Sequence, residues 1–407
     1  MKSKIKINIT GQKEYLYSTR QITQIIDIIS EKHYKNEIIN EIANSDKIKN
    51  IIILSESTKI NQKYKDINEN EFEIDSNSLL DIYHKGKPIS LIIDKNIMLM
   101  NKTFELFENL YQHNNQRNIK MTLGDKEALL FELYKFILDE DYLKVQKFFK
   151  SHSSYSKEKI NSIIKSIKKT INLYKRVKTY EKLEKENKIN ENKNEEDNYQ
   201  DVKKIKNEFL QNFSRLSKPI LYIQLDNKVN DNSNLKNEWQ MLGIKMIKEE
   251  YFKHSNPKFL DINKIEQNSP LYIELAVSIQ FIPILIKLSK SLRNSKEKDK
   301  SQEDDLRSLD EIIEMMEKTY TNPDLTLNEI NENEKELDEK IKKLPNKLKS
   351  KVYEMRNGLT EGNISSLKEN KIHLTGIEIN EEENEIKDDI ENEIKNDNEN
   401  NKKNFDR

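Results

Sequence analysis

Cysteine is absent from all 407 residues. That removes disulfides, thiolate metal sites, iron–sulfur clusters and cysteine nucleophiles together, and with them the small secreted folds that rely on covalent staples. Glycine and proline are scarce, at seven residues each. No GxxxxGK[ST] loop and no GxGxxG fingerprint occurs, so the usual backbone cradles for nucleotide phosphates are missing and no cofactor is expected. The six histidines, His33, His84, His113, His152, His254 and His373, show no HxH, HExxH or HxxxH spacing, and no metal is expected. The single tryptophan, Trp239, reads as a packing residue.

Long apolar runs are also lacking. The longest, residues 271–288, is interrupted by Glu274, Gln280, Pro283 and Lys287, whereas a membrane span needs about 20 mostly apolar residues. Residues 1–20 carry lysines but no apolar core of a secretory signal, so a cytoplasmic location is the expectation. Hydrophobic residues make up 35% of the chain, no more than the charged ones at 35%, a thin core for a length that suits two or three domains. With 70 basic and 71 acidic residues the formal charge is only -1. Any electrostatic function must therefore be local.

What is present is periodicity. Ile5, Ile7 and Ile9 alternate with Lys4, Lys6 and Asn8, as in a half-buried strand ended by Gly11. Ser18 and Gln21 form a capping-box pair, and Ile22, Ile25, Ile26 and Ile29 follow at helical spacing, which predicts a helix to about residue 43. The runs 51–54 and 89–93 read as strands covered on both faces, with a weaker strand at 72–74 and a helix over 96–112. Three helices follow, the last marked by Ile160, Ile163, Ile167, Ile171 and Val177. Strands are predicted at 219–225 and 258–265. Asn268, Ser269 and Pro270 then look like the cap and first turn of an apolar helix over 271–292, kinked or broken at Pro283. Helices are predicted over 306–320 and 344–356, the latter before Gly358, and a strand with a bulge at Gly376 over 372–379.

The resulting expectation is an α+β fold, predominantly helical. It divides into a small mixed α/β N-terminal domain (1–118), a helical segment with a basic face (119–188) and a linker (189–200). A second mixed region (201–293) is built on the buried helix 271–292, followed by a linker (294–305), helices with a terminal strand (306–379) and a disordered acidic tail (380–407).

The most informative constellation is basic. Residues 147–182 hold eleven lysines and arginines against Glu158 and Glu181, a local charge of roughly +9 in a nearly neutral chain. Lys165, Lys168, Lys169, Lys175, Arg176 and Lys178 are the expected polyanion-binding residues. Phe148, Phe149, Tyr155, Tyr174 and Tyr180 are interleaved with them, as base stacking would require. The apolar stripe of 160–177 also admits a homodimer, and the acidic stretch 381–397 has the sign to compete for the basic helix.

Carboxylates that follow apolar runs, Asp94 and Asp226, are the weak candidates for metal-dependent chemistry, and both also suit turns or helix caps. No motif is specific enough to indicate a family. The sequence therefore points to an intracellular, non-catalytic interaction or scaffold protein whose basic helix meets an acidic protein or a nucleic acid. Two alternatives stand beside it. One is a metal-dependent hydrolase or nuclease using Asp94 and Asp226; the other is a regulatory or defence component acting at a membrane through residues 271–292.

Overall fold

In a computed structural model of the chain, residues 4–11, 13, 16–45, 48–54, 71–73, 76–117, 122–185, 196–217, 219–225, 238–242, 260–267, 271–293, 327–360 and 364–379 are described. The chain is α+β and largely helical, and the two sheets among the described residues are antiparallel throughout. It forms two compact units that are interleaved in sequence. One comprises Met1–Asn40, Lys245–Lys340 and Arg356–Arg407; the other comprises Glu41–Ile244 and Ile341–Met355.

The first unit holds β1 (Lys4–Gly11), most of α1 (Thr19–Asn44), β7 (Asp261–Gln267), β8 (Leu271–Ser278), α8 (Ile282–Arg293), α11 (Ile364–Glu369) and β9 (Ile372–Ile379). Its sheet runs in the order β7-β8-β1-β9. Helix α1 starts as its sequence implies. The Ser18 amide donates to Gln21 Oε1 at 2.9 Å and the Gln21 amide donates to Ser18 Oγ at 3.3 Å, which satisfies two otherwise orphaned donors. Strand β9 bulges next to Gly376, because Asn8 faces Gly376 while Ile9 faces Leu374, leaving Thr375 as the extra residue.

The apolar helix expected over 271–292 is not formed. Residues 271–278 are β8, a central strand flanked by β7 and β1, and Ile279–Phe281 make one 3₁₀ turn before α8. Two physical facts explain the difference. A short apolar run buried on both faces has no diagnostic period, and here Leu271, Ile273, Leu275 and Val277 are buried at period two while Tyr272 and Glu274 are partly exposed. Pro283 moreover sits in the first turn of α8, where its missing N–H has no intrahelical partner to lose, so it marks a beginning and not a kink.

The second unit holds β2 (Ile48–Leu54), β3 (Glu71–Glu73), α2 (Ser76–Lys85), β4 (Pro88–Ser90), α3 (Lys95–Gln116), α4 (Leu123–Leu138), α5 (Tyr142–His152), α6 (Lys157–Lys185), α7 (Glu196–Arg215), β5 (Leu221–Leu225) and β6 (Glu238–Leu242). Its sheet has the order β3-β6-β5-β2-β4. Strands β1 and β2, expected in one N-terminal domain, thus belong to different sheets, and β1 finds its partners more than 250 residues away. Helix α7 begins at Glu196, inside the stretch expected as a linker. The remaining α-helices among the described residues are α9 (Leu327–Lys343) and α10 (Asn346–Gly358). The expected linker 294–305, the expected helix 306–320 and the acidic tail 380–407 lie outside the described residues. No helix among the described residues is long and apolar enough to cross a membrane.

Candidate polyanion-binding surface

Helix α6 is amphipathic by position. Ile160, Ile163, Ile167, Ile171 and Val177 are each no more than 6% exposed, and the helix packs on α3 and α5. The stripe that admitted a homodimer is therefore filled by the chain's own core. At about 100° per residue, Lys165, Lys168, Lys169, Lys175 and Arg176 fall within an arc of about 120° on the opposite side. The four lysines of this arc are exposed and Arg176 is half-buried. From Lys159 to Lys178 the helix carries seven basic residues and no acid.

Lys178 does not join the arc. It points along another flank, where its ammonium bonds Glu181 Oε2 at 3.0 Å and lies 5.5 Å from the centre of the Tyr174 ring. Lys168 sits 4.6 Å over the ring of Tyr142, an arrangement that orients the ammonium without neutralising it. An acid that feels this surface is Glu140, in the turn between α4 and α5. Its bond to Lys95 at 2.6 Å, with a contribution from the charge of Lys175, holds its carboxyl below the usual range.

The aromatic residues expected to stack bases are turned elsewhere. Phe148 and Phe149 are buried and meet edge to face at 5.4 Å. Tyr155 lies beside His113 and donates to the Asn109 carbonyl at 3.1 Å. Tyr174 and Tyr180 pack on the cluster formed by Ile93, Val177 and Val202. Two of the five are buried and three half-buried in these contacts, because burying a ring contributes more to this small core than leaving it in water.

That cluster joins α6 to the start of α7, and beside it residues of the two helices line a cleft of about 590 Å³. Lys169 and Leu173 line it from α6, and Lys204, Glu208, Gln211, Asn212 and Arg215 from α7. Lys204 and Arg215 were missed in the sequence because the α7 segment is close to charge balance. The signal that marks them is spacing, since 204, 208, 211 and 215 follow the i, i+4, i+7, i+11 pattern of one helix face. The one carboxylate here, Glu208, is 3.6 Å from the ammonium of Lys87.

Asp94 is the N-cap of α3. Its Oδ1 accepts from the amides of Asn96 at 2.8 Å and Ile97 at 3.1 Å. Burial, and secondarily the charge of Asp94, push the Tyr134 phenol up to about 12. Asp226 lies outside the described residues. Among the described residues no group of three or more histidines, aspartates or glutamates is placed to hold a metal ion. Compared with protein-family models, curated proteins and solved structures, the chain matches none.

Proposed function

We propose that this chain is a non-catalytic interaction protein whose α6 face contacts a polyanionic partner. The observation that carries the reading is the sorting of cations on α6. Five of them share one arc, four exposed lysines and the half-buried Arg176, over a stretch without acid, while the apolar residues of the same helix face the core. A solvated surface needs no such segregation, and mixed-sign surfaces are the common solution for solubility. Glu140, already bonded to Lys95, offsets little of this charge.

The hydrolase reading draws no support from Asp94, whose carboxylate serves as a helix cap. The membrane reading loses its helix, because residues 271–278 are a strand inside a sheet. The test is charge reversal on the full chain: Lys165, Lys168, Lys169, Lys175 and Arg176 all to Glu, with binding to heparin as a generic polyanion. The expected result is loss of binding with an unchanged circular dichroism spectrum and melting temperature. Undiminished binding by the folded variant would overturn the proposal.

A further inference from the structure

Three properties of the α6–α7 region narrow the kind of polyanion, given the polyanion reading above. The first is length. Residues 157–182 of one unbroken helix extend about 38 Å at 1.5 Å per residue, a straight array of fixed charge. Within it Lys168, Lys175 and Lys182 recur at seven-residue intervals, about 10.5 Å apart along the axis. A stiff partner with evenly spaced charge meets such an array without being ordered by it, whereas a disordered acidic peptide loses about 2–5 kcal/mol on ordering.

The second property is the inward packing of the aromatics. Non-specific single-strand binders depend on stacking platforms, and the rings that accompany this surface are buried or half-buried in contacts of their own. The third is the cleft. Its two walls carry Lys169 on one side and Lys204 and Arg215 on the other, with the amide of Gln211 between the last two, while Asn212 accepts from Arg215 at 3.0 Å and donates to the Glu208 carbonyl at 2.8 Å. Amide and cationic side chains together are the residue types that position a sugar–phosphate backbone, and they carry no base readout there.

We infer that the α6–α7 cleft seats one sugar–phosphate backbone of a nucleic-acid duplex, held between Lys169 on α6 and Lys204 and Arg215 on α7, with the α6 arc continuing the contact along the strand. Recognition is of charge and spacing, independent of base sequence. Each neutralised phosphate releases condensed counterions, so affinity falls with salt in proportion to the number of contacts.

The experiment titrates the full chain with three probes across a salt series. They are random-sequence duplexes of about 30 base pairs, roughly three times the ~11 that a 38 Å helix covers at 3.4 Å per pair, a thymidine single strand of equal length, and polyglutamate. The expected result is duplex binding at least about tenfold tighter than either other probe, equal for two unrelated duplex sequences within about twofold, and a log–log salt slope of about -6 for the seven cations of the arc and cleft. Replacing Lys204 and Arg215 together by Ala, with the fold verified by circular dichroism, lowers the slope by about two. Polyglutamate or the single strand binding as tightly as the duplex overturns this inference and leaves the polyanion proposal standing. An unchanged slope in the Lys204→Ala/Arg215→Ala variant overturns the placement in the cleft. Absence of binding to any of the three at low salt removes both.

Discussion

The hydroxyl of Ser278, at the end of β8, donates to Glu37 Oε1 on α1 at 2.6 Å, and both residues are buried. The same serine's backbone amide donates to His33 Nε2 at 3.2 Å. His33, one helical turn before Glu37, packs edge to face on Phe281 at 5.0 Å. One turn of α1 therefore receives the last residue of the central strand entirely through polar groups, and it works only if the imidazole is neutral and accepts through Nε2.

The pH dependence of stability follows. Burial lowers the His33 pKa from about 6.5 to about 3. The unfolded chain then binds one more proton than the folded chain between those values, so stability rises with pH across the window. It is fully present above about 6.5 and is lost on acidification at up to ~1.4 kcal/mol per pH unit. Denaturant titrations at pH 7.5 and 4.5 check this against His33→Gln, whose amide oxygen can still accept from Ser278. The wild-type chain should lose about 2–3 kcal/mol more than the variant over that interval.

A buried cation makes a different prediction. The Arg356 guanidinium, 7% exposed, bonds Asp338 and lies 3.2 Å from Glu334, which also accepts from Lys287 at 2.6 Å. Arg356→Ala leaves those carboxylates without their shared partner. Both are partly exposed and water can replace the cation, so the expected cost is about 2 kcal/mol, below the 3–5 typical of fully buried pairs. Arg356→Lys should recover only part of it, since an ammonium cannot reproduce the planar fork. Equilibrium unfolding of the three proteins decides the order.

Gly11 makes a steric prediction. A Cβ there would lie 2.3 Å from the hydroxyl of Tyr17, and that hydroxyl donates to the Asn370 carbonyl at 2.6 Å. The ring cannot retreat without giving up this bond. Gly11→Ala should cost about 1–3 kcal/mol, and adding Tyr17→Leu should make the second alanine effect smaller than the first. Additive losses in that double-mutant cycle would show that the contact is relieved by other means.

Asp94 separates a structural from a chemical role. An N-cap can be asparagine as readily as aspartate, so Asp94→Asn should keep stability within about 0.5 kcal/mol, while Asp94→Ala should cost about 1 kcal/mol. A carboxylate that held a metal ion would not tolerate either change. Thermal melting of the two variants measures the cap, and a melting temperature for Asp94→Asn as low as that for Asp94→Ala would count against the capping role.

Local chemistry was the legible part of this fold. The Ser18–Gln21 cap, the bulge at Gly376 and the amphipathic period of α6 depend on residues within a few positions of one another, and each stands where its spacing implied. What spacing could not convey is partner choice over distance. Nothing near Ile5, Ile7 and Ile9 announces that their strand pairs with Val277, Leu275 and Ile273, and without that pairing the cap pattern of Asn268, Ser269 and Pro270 pointed 271–278 to a helix. The same limit applies to the surface. Charge counting on α6 found its cations, yet it grouped Lys178 with Lys175 and passed over Lys204 and Arg215, because only the packing of α7 beside α6 shows which cations face a common space.

That difference between Lys175 and Lys178 is itself measurable. The two stand three residues apart on the same helix with the same charge, and a reading based on local charge alone predicts equal effects. Lys175 is exposed on the arc, whereas Lys178 is half-buried and bonded to Glu181. Losing one backbone contact lowers the salt slope by about 0.9 and, near 0.15 M salt, weakens binding roughly fivefold. Lys175→Ala should show that loss with unchanged stability. Lys178→Ala should leave affinity for the duplex within about twofold and cost up to ~0.5 kcal/mol of stability through the lost pair with Glu181. Equal effects on affinity would mean that the partner responds to the net charge of the helix, and that the arc has no part in placing it.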